Sequence, residues 1–440
     1  MWIGSLVTVR LRGRDLKVMD RFPRWIIILL VVIALARIAA FLARRFDLPR
    51  VSIQLLIGIL LGPSAFNVLG APVVLGTWGS PSSGPLHSSL KILAEIGLVQ
   101  LMFLAGLEVD WRELKKIIKP CFSIGVWEFG LTAVGVAILT QLFADRWSEA
   151  LAMSAVVSAS SFGISAYCLR QMKVLGSRVA AMVSGAAILS GLLAILLMIA
   201  SQATNYAAVH GTFKMIIAVS WFLGKLVMFF AIAYFLTSRF LKLASKSGFS
   251  KRPRQMLIGY LLLVAALYAW AAMHFGSFAA VGVASLGGGI LGASNPEVKE
   301  KIDRVFESIL SSIPVGILLM VIGMEVNLKV VESSILFLGF LLIIVIGTKL
   351  IGCWIATKGY PSSSERVFIM LGVLAQGEMG VLIAAYLFSR GVLNPQFFGM
   401  AILVVAGLTT VSPILMRIVS SESDSKELNG APGLKNSSFS

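Results

Sequence analysis

Apolar runs of roughly twenty residues recur along the whole chain. They lie at about 24–44, 51–70, 89–108, 119–143, 150–170, 179–201, 214–239, 255–274, 277–293, 305–326, 334–357, 366–389 and 395–418. Each is long enough to cross a bilayer as a helix. The runs are continuous and lack alternation at period two, which excludes a membrane β-barrel. The pattern therefore predicts an all-α polytopic membrane protein of about 13 transmembrane helices. Polar, Ser- and Gly-containing sequence after Arg417 predicts a disordered tail.

The spans repeat internally. Leu101–Asp110 reads LMFLAGLEVD and Leu318–Asn327 reads LLMVIGMEVN, so that Glu108 and Glu325 lie 217 residues apart, as do Gly163 and Gly380. Upstream, Leu61-Gly62-Pro63-Ser64 corresponds to Leu291-Gly292-Ala293-Ser294. Spans one to six thus match spans eight to thirteen, with span seven as joiner. A shift of seven spans gives the two six-helix copies opposite topology. Inverted repeats of this kind are a signature of secondary transporters, with a binding site expected at the repeat interface.

Composition agrees. The 440 residues are 58% hydrophobic and only 13% charged, with a mean hydropathy of +0.90. The formal net charge of +17 would suggest nucleic acid in a soluble domain, but here the Lys and Arg sit in short loops. The side holding the 1–2, 3–4, 5–6, 7–8, 9–10 and 11–12 loops and the C-terminus carries 24 of them against 11, with Arg37, Lys225 and Lys349 inside spans. The positive-inside rule then puts the C-terminus in the cytoplasm. Residues 1–23 form a basic segment without the features of a cleavable signal, and Met19 is an alternative start. A bacterial plasma (inner) membrane is the expected location. Cys121, Cys168 and Cys353 have no metal or disulfide spacing, and there is no HExxH, GxSxG or phosphate-loop motif. No enzyme activity, cofactor or nucleic-acid partner is expected.

Candidate chemistry lies at mid-depth. Span five carries Ser158-Ala159-Ser160-Ser161-Phe162-Gly163-Ile164-Ser165, and its counterpart, span twelve, carries Gln376-Gly377-Glu378-Met379-Gly380. Matched interruptions predict discontinuous helices, whose freed carbonyls can coordinate a cation. Close packing through small residues is the plainer alternative. Glu378 sits about twelve residues, or ~18 Å, inside its span. A carboxylate at that depth either binds a cation or proton or partners an unwound helix end. Glu128 lies nine residues beyond Lys119, and Lys349 nine residues before Lys358, so both are ~13 Å in from the same side. Their spans, four and eleven, are repeat counterparts, which favours an intramembrane ion pair over separate partners for each or a snorkelling lysine.

These residues resemble the monovalent cation:proton antiporter-2 family, which includes Kef- and NapA-type sodium/proton or potassium/proton exchangers. Gly58-Ile59-Leu60-Leu61-Gly62-Pro63-Ser64, Leu93-Ala94-Glu95-Ile96-Gly97, Phe103–Glu108, Ser160–Ile164, Gly377–Gly380 and Lys349–Gly352 carry the likeness, which covers roughly residues 30–418. The resemblance implies an NhaA/NapA-like fold with discontinuous crossing helices, a homodimer and an elevator-like core. The implied divisions are dimer-domain helices at 24–118 and 255–333, core halves at 119–201 and 334–418, a linker helix within 202–254 and a tail at 419–440. It also implies exchange of a monovalent cation for a proton.

One departure is conspicuous. The family's span-six carboxylates align with Ser190 and Gly191 here, and no Asp or Glu occurs between Glu149 and Glu297. Serine offers one neutral oxygen and cannot carry the proton. The candidate ion- or substrate-binding residues are therefore Ser160, Ser161, Gly163, Ser190, Gly191, Gln376 and Glu378, with Glu128 and Lys349 for proton coupling or an intramembrane ion pair. Two other readings keep the fold: transport of an anion or neutral solute, and a non-transporting regulatory membrane subunit.

Overall fold

The computed structural model describes residues 24–46, 48–64, 118–161, 164–165, 178–211, 313–332, 334–359 and 363–422, with isolated positions between 90 and 97 and between 213 and 224. Spans eight and nine, most of spans three and seven, the first part of span ten, and the two termini lie outside the described residues, as do Glu95, Glu108, Cys168 and Lys225. All regular structure among the described residues is helical.

The helices are α1 (Arg24–Arg45), α2 (Arg50–Leu61), α3 (Ile118–Gln141), α4 (Trp147–Ser158), α5 (Arg178–His210), α6 (Ile313–Met324), α7 (Leu328–Glu332), α8 (Ile335–Ala356), α9 (Ser363–Leu374), α10 (Glu378–Ser389) and α11 (Pro395–Glu422). Five described stretches are long and apolar enough to cross a membrane: Ile118–Gln141, Val179–Ala208, Ile335–Ala356, Glu365–Ser389 and Pro395–Val419. The fourth runs through α9 and α10 and the break between them. Outward faces are as apolar as inward ones. Phe122, Val134, Ile138, Leu336, Phe340 and Ile343 are exposed, as expected where the surrounding solvent is lipid.

Two close helix pairs organise the structure. The first is α2 against α6. A Cβ added at Gly58 would lie 2.3 Å from the Met320 carbonyl oxygen, and one at Gly62 2.7 Å from that of Met324. From the other side, a Cβ at Gly323 would lie 2.4 Å from the Leu55 oxygen. This is a Gly-x-x-x-Gly contact, in which missing side chains let backbones touch. Ser64 secures its end: its hydroxyl donates to the Val326 carbonyl (3.0 Å) and accepts from Leu328 N–H (2.8 Å) at the start of α7.

The second pair is α3 against α8, which run antiparallel. Thr348 Oγ1 donates to Thr132 Oγ1 at 3.0 Å, while Thr132 bonds its own helix at the Glu128 carbonyl (2.6 Å). One turn along, a Cβ at Gly352 would lie 2.5 Å from the Trp127 oxygen and 2.7 Å from Glu128 Cα. Only glycine permits this approach, and it brings Lys349, three residues earlier on α8, against Glu128. Helix α4 packs against both α3 and α5, and α9, α10 and α11 pack against this group.

Two of the predicted spans are broken, at the predicted places. Span five is helical as α4 to Ser158, then Ala159–Ser161 are non-helical. Span twelve is helical as α9 to Leu374, then Ala375–Gly377 are non-helical before α10 begins at Glu378. Some ends differ from the sequence reading. Helix α5 continues to His210 rather than stopping near 201, because Ser201 Oγ reaches the Ser148 carbonyl (2.7 Å) and Ser148 reaches Asn205, tying the extra turns to the start of α4. Helix α2 stops at Leu61, where the chain turns at Gly62.

Candidate functional site

The two breaks cross. Ser161 N–H donates to the Ala375 carbonyl at 2.9 Å, and the Gln376 side-chain amide donates to the Val157 carbonyl. Gly377 makes the crossing possible: a Cβ there would lie 2.7 Å from Ser161 Oγ. A broken helix leaves carbonyls without partners, which is costly inside a membrane unless other groups take them up. Here hydroxyls, an amide and an ammonium do so. At the end of α4 the Val157 oxygen takes Gln376, and the Ser158 oxygen takes Lys349 Nζ (2.9 Å) and Ser190 Oγ (3.1 Å). At the end of α9 the Leu371 oxygen takes Ser412 (2.7 Å), Gly372 takes Ser165 (2.9 Å) and Val373 takes Ser160 (2.7 Å). Thr409 Oγ1 donates to the Gln376 carbonyl at 2.7 Å.

Glu128 and Lys349 meet beside this crossing. Lys349 Nζ lies 2.9 Å from Glu128 Oε2, and both side chains are fully buried. The ammonium's three protons have three acceptors: Glu128 Oε2, the Ser158 carbonyl and Ser160 Oγ, the last at 2.7 Å. Ser160 in turn stands 3.0 Å from Glu128 Oε1. Its single proton goes to that oxygen or to Val373. The result is an oxygen cage built from α3, the α4 break and the Ser160 hydroxyl, filled by the ammonium of Lys349. Desolvating two charges is offset only when geometry is good and the remaining hydrogen-bonding capacity is met; the ammonium's donors are all taken up, while Glu128 Oε1 and the Val373 carbonyl share the one Ser160 proton.

The other predicted residues fall around the cage. Ser190, on α5, accepts from Ser160 N–H (3.0 Å) and donates to the Ser158 carbonyl, so its hydroxyl bridges the gap in the broken helix. Gly191 is buried, and a Cβ added there would touch only Met379 Cε, at 3.5 Å. Ser161 accepts from Ile164 N–H (3.1 Å). Gln376 is buried; its amide nitrogen is engaged, and its Oε1 has no protein partner among the described residues. The Glu378 backbone begins α10, whereas its side chain and Gly163 lie outside the described residues. Sequence reasoning named Ser165 only as part of the span-five stretch and missed Thr409 and Ser412, the other hydroxyls that satisfy the broken ends. The available signal was a hydroxyl residue inside an otherwise apolar span. No group of three or more His, Cys, Asp or Glu among the described residues could hold a metal ion.

Comparison with known proteins places this geometry in context. The family described as "Sodium/hydrogen exchanger, transmembrane" matches residues 29–420. Among curated proteins, the chain is 23% identical over 397 residues to the probable Na(+)/H(+) antiporter GerT of Bacillus cereus, covering 88% of this chain and 97% of the relative. It is 24% identical over 399 residues to a Na(+)/H(+) antiporter of Enterococcus hirae, covering 89% and 96%. Among solved structures, the sodium proton antiporter MjNhaP1 of Methanocaldococcus jannaschii matches with a TM-score of 0.65 at 14% identity, over 91% of this chain and 98% of that one. That likeness is one of fold. The family and these relatives are transporters, not enzymes. With nine-tenths of its length matched, and with a multi-pass helical membrane fold of the same kind, the chain belongs to the sodium/hydrogen exchanger family.

Proposed function

We propose that this protein exchanges a monovalent cation (Na⁺ or K⁺) for a proton across a membrane, and that the oxygen cage around Lys349 is the site. The observation that carries the reading is the tethered ammonium itself. Three oxygens (Glu128 Oε2, Ser160 Oγ and the Ser158 carbonyl) surround the position of one positive charge at the broken end of α4, and Glu128 Oε1 stands 3.0 Å from Ser160 Oγ. A hard monovalent cation takes such oxygen ligands. Its entry displaces the ammonium, which gives up one proton; when the cation leaves, Lys349 recovers a proton from the side it then faces. The cycle is one-for-one and leaves the buried charge unchanged. Glu128 thereby takes the part that the span-six aspartate takes in other members, with Ser190 reduced to bridging backbone and Gln376 at the crossing of the two breaks. The antiporter names of the relatives support this substrate class.

The finer architecture follows the same reading. Within the family we assign the chain to the monovalent cation:proton antiporter-2 branch, on the motifs quoted above. The 217-residue offset pairs Gly135 with Gly352, and each supports the α3–α8 contact, which favours two inverted repeats and about 13 helices in all. The core of residues 119–201 and 334–418 moves as an elevator against the remaining helices in a homodimer of a bacterial inner membrane, with the C-terminus cytoplasmic.

A neutral cage favours a second reading. Glu128 and Lys349 cancel, and Ser190 and Gly191 add no charge, which suits a neutral or anionic solute better than an aspartate site does. Everted vesicles separate the two. Cation-dependent collapse of an imposed ΔpH, abolished in Glu128→Gln, supports cation exchange. A ΔpH indifferent to Na⁺, K⁺ and Li⁺ in the native protein overturns it.

A further inference from the structure

A groove runs along the outward face of α3, enclosing about 460 Å³ and lined by Ile118, Lys119, Phe122, Ser123, Val126 and Trp127. These positions form two adjacent ridges at four-residue spacing, Ile118–Phe122–Val126 and Lys119–Ser123–Trp127, so the groove follows the helix for nine residues, or ~13 Å. Its two ends differ. At the start of α3 are Ile118 and Lys119, both exposed; Phe122, 58% exposed, and the half-buried Ser123 follow one turn on, and farther along the helix the wall is Val126 and Trp127, 37% and 46% exposed. The start of α3 lies on the side of the chain richer in Lys and Arg, and Arg112, Lys115 and Lys116 precede Lys119 within seven residues of sequence.

We infer that this groove holds one anionic phospholipid, with its phosphate on Lys119 and an acyl chain along Phe122, Val126 and Trp127. The charge sets the choice. A groove that is apolar throughout takes any lipid, whereas a basic residue at the headgroup end of an apolar wall, behind a basic run in sequence, selects a negative headgroup. The site has a direct route to the centre of the protein. The Trp127 side chain lines the groove while its carbonyl faces the Gly352 contact, and its neighbour Glu128 points into the cage. A lipid pressed against Trp127 therefore braces the helix pair that aligns the ion pair. The inference does not depend on what the protein transports.

The experiment uses the full-length protein in detergent. Retention of phosphatidylglycerol and phosphatidylcholine of matched chains is measured by native mass spectrometry, and thermal unfolding is followed with each lipid and with inorganic phosphate alone. Three proteins are compared: native, Lys119→Gln, and Val126→Trp, which fills the groove without altering charge. The expected result is preferential retention of, and stabilisation by, phosphatidylglycerol in the native protein. Lys119→Gln weakens it about fivefold, Val126→Trp abolishes it, and inorganic phosphate has no effect. Equal response to the two lipids overturns the inference, as does stabilisation by phosphate alone. So does a change of oligomeric state in Val126→Trp that is independent of lipid, which would assign the face to a second copy of the chain.

Discussion

Lys349 Nζ sits 2.9 Å from Glu128 Oε2 and 2.9 Å from the carbonyl of Ser158, the last helical residue of α4. One ammonium thus closes an ion pair and caps a broken helix at once. A cation at a helix C-terminus also meets the negative end of its dipole.

Removing one partner leaves the other charged and buried. Glu128→Gln and Lys349→Met should each lower stability by about 3–5 kcal/mol. The double variant should recover most of that, because neither charge remains. Thermal unfolding of the four proteins in one detergent forms a double-mutant cycle. Equal losses in the single and double variants would show that the pair contributes through packing alone. Exchange activity should be absent from all three variants, including the stable double one.

The approach of α3 to α8 depends on Gly352. Gly352→Ala should cost about 1–3 kcal/mol and depress exchange, because its Cβ meets the backbone of Trp127 and Glu128 at 2.5–2.8 Å. Gly135→Ala, whose Cβ would meet only the side-chain methyls of Ile344 and Thr348 at 3.1–3.2 Å, should be much milder. Comparable effects of the two would remove the special status given to Gly352.

Ser190 is held by two backbone groups of the broken helix. Ser190→Ala leaves the Ser160 N–H without its acceptor and should destabilise by about 1–3 kcal/mol. Ser160→Ala removes a cage oxygen and should raise the KM for the cation while leaving maximal flux less affected. Vesicle assays at graded cation concentration distinguish the two. An unchanged KM in Ser160→Ala would take Ser160 out of the cage.

Gly191→Asp places a carboxylate where the resemblance to the antiporter-2 family implies one. The site has room, since the nearest atom to a new Cβ is the flexible Met379 Cε at 3.5 Å. The protein should fold, and the added charge should raise cation affinity. If flux appears only in this variant and never in the native chain, the scaffold is an antiporter's but the native role is another.

Much of this site could be read from the sequence because depth in a membrane can be counted. Glu128 and Lys349 are equally far from flanking lysines in sequence, so helix rise put them at one depth and made an ion pair the favoured reading, which the 2.9 Å contact bears out. The breaks were legible for a similar reason: Ser158–Ser165 and Gln376–Gly380 put small and polar residues where lipid-facing helices carry none. Hydrogen-bond partners were not legible. Nothing in the one-dimensional pattern says that Ser412 reaches Leu371, or that Thr409 reaches Gln376, because those bonds join segments whose relative rotation is set by packing. Helix ends failed for the same cause. The extra turns of α5 depend on Ser148 and Asn205, which look like ordinary loop residues in sequence.

The contact of α2 with α6 has a mechanical meaning. Side-chain layers behave like meshed teeth with play between them, since rotamers give way. Where Gly58 and Gly62 lie against Met320 and Met324 there are no teeth, and bare backbone rests on bare backbone. Sliding either helix by one residue drives a Cβ into a carbonyl oxygen, so the pair has a single register and no slack. Such a joint is a ruler rather than a bearing. With no slack in the joint, α2 and α6 move only together, so a distance measured between them should stay constant whatever the rest of the molecule does.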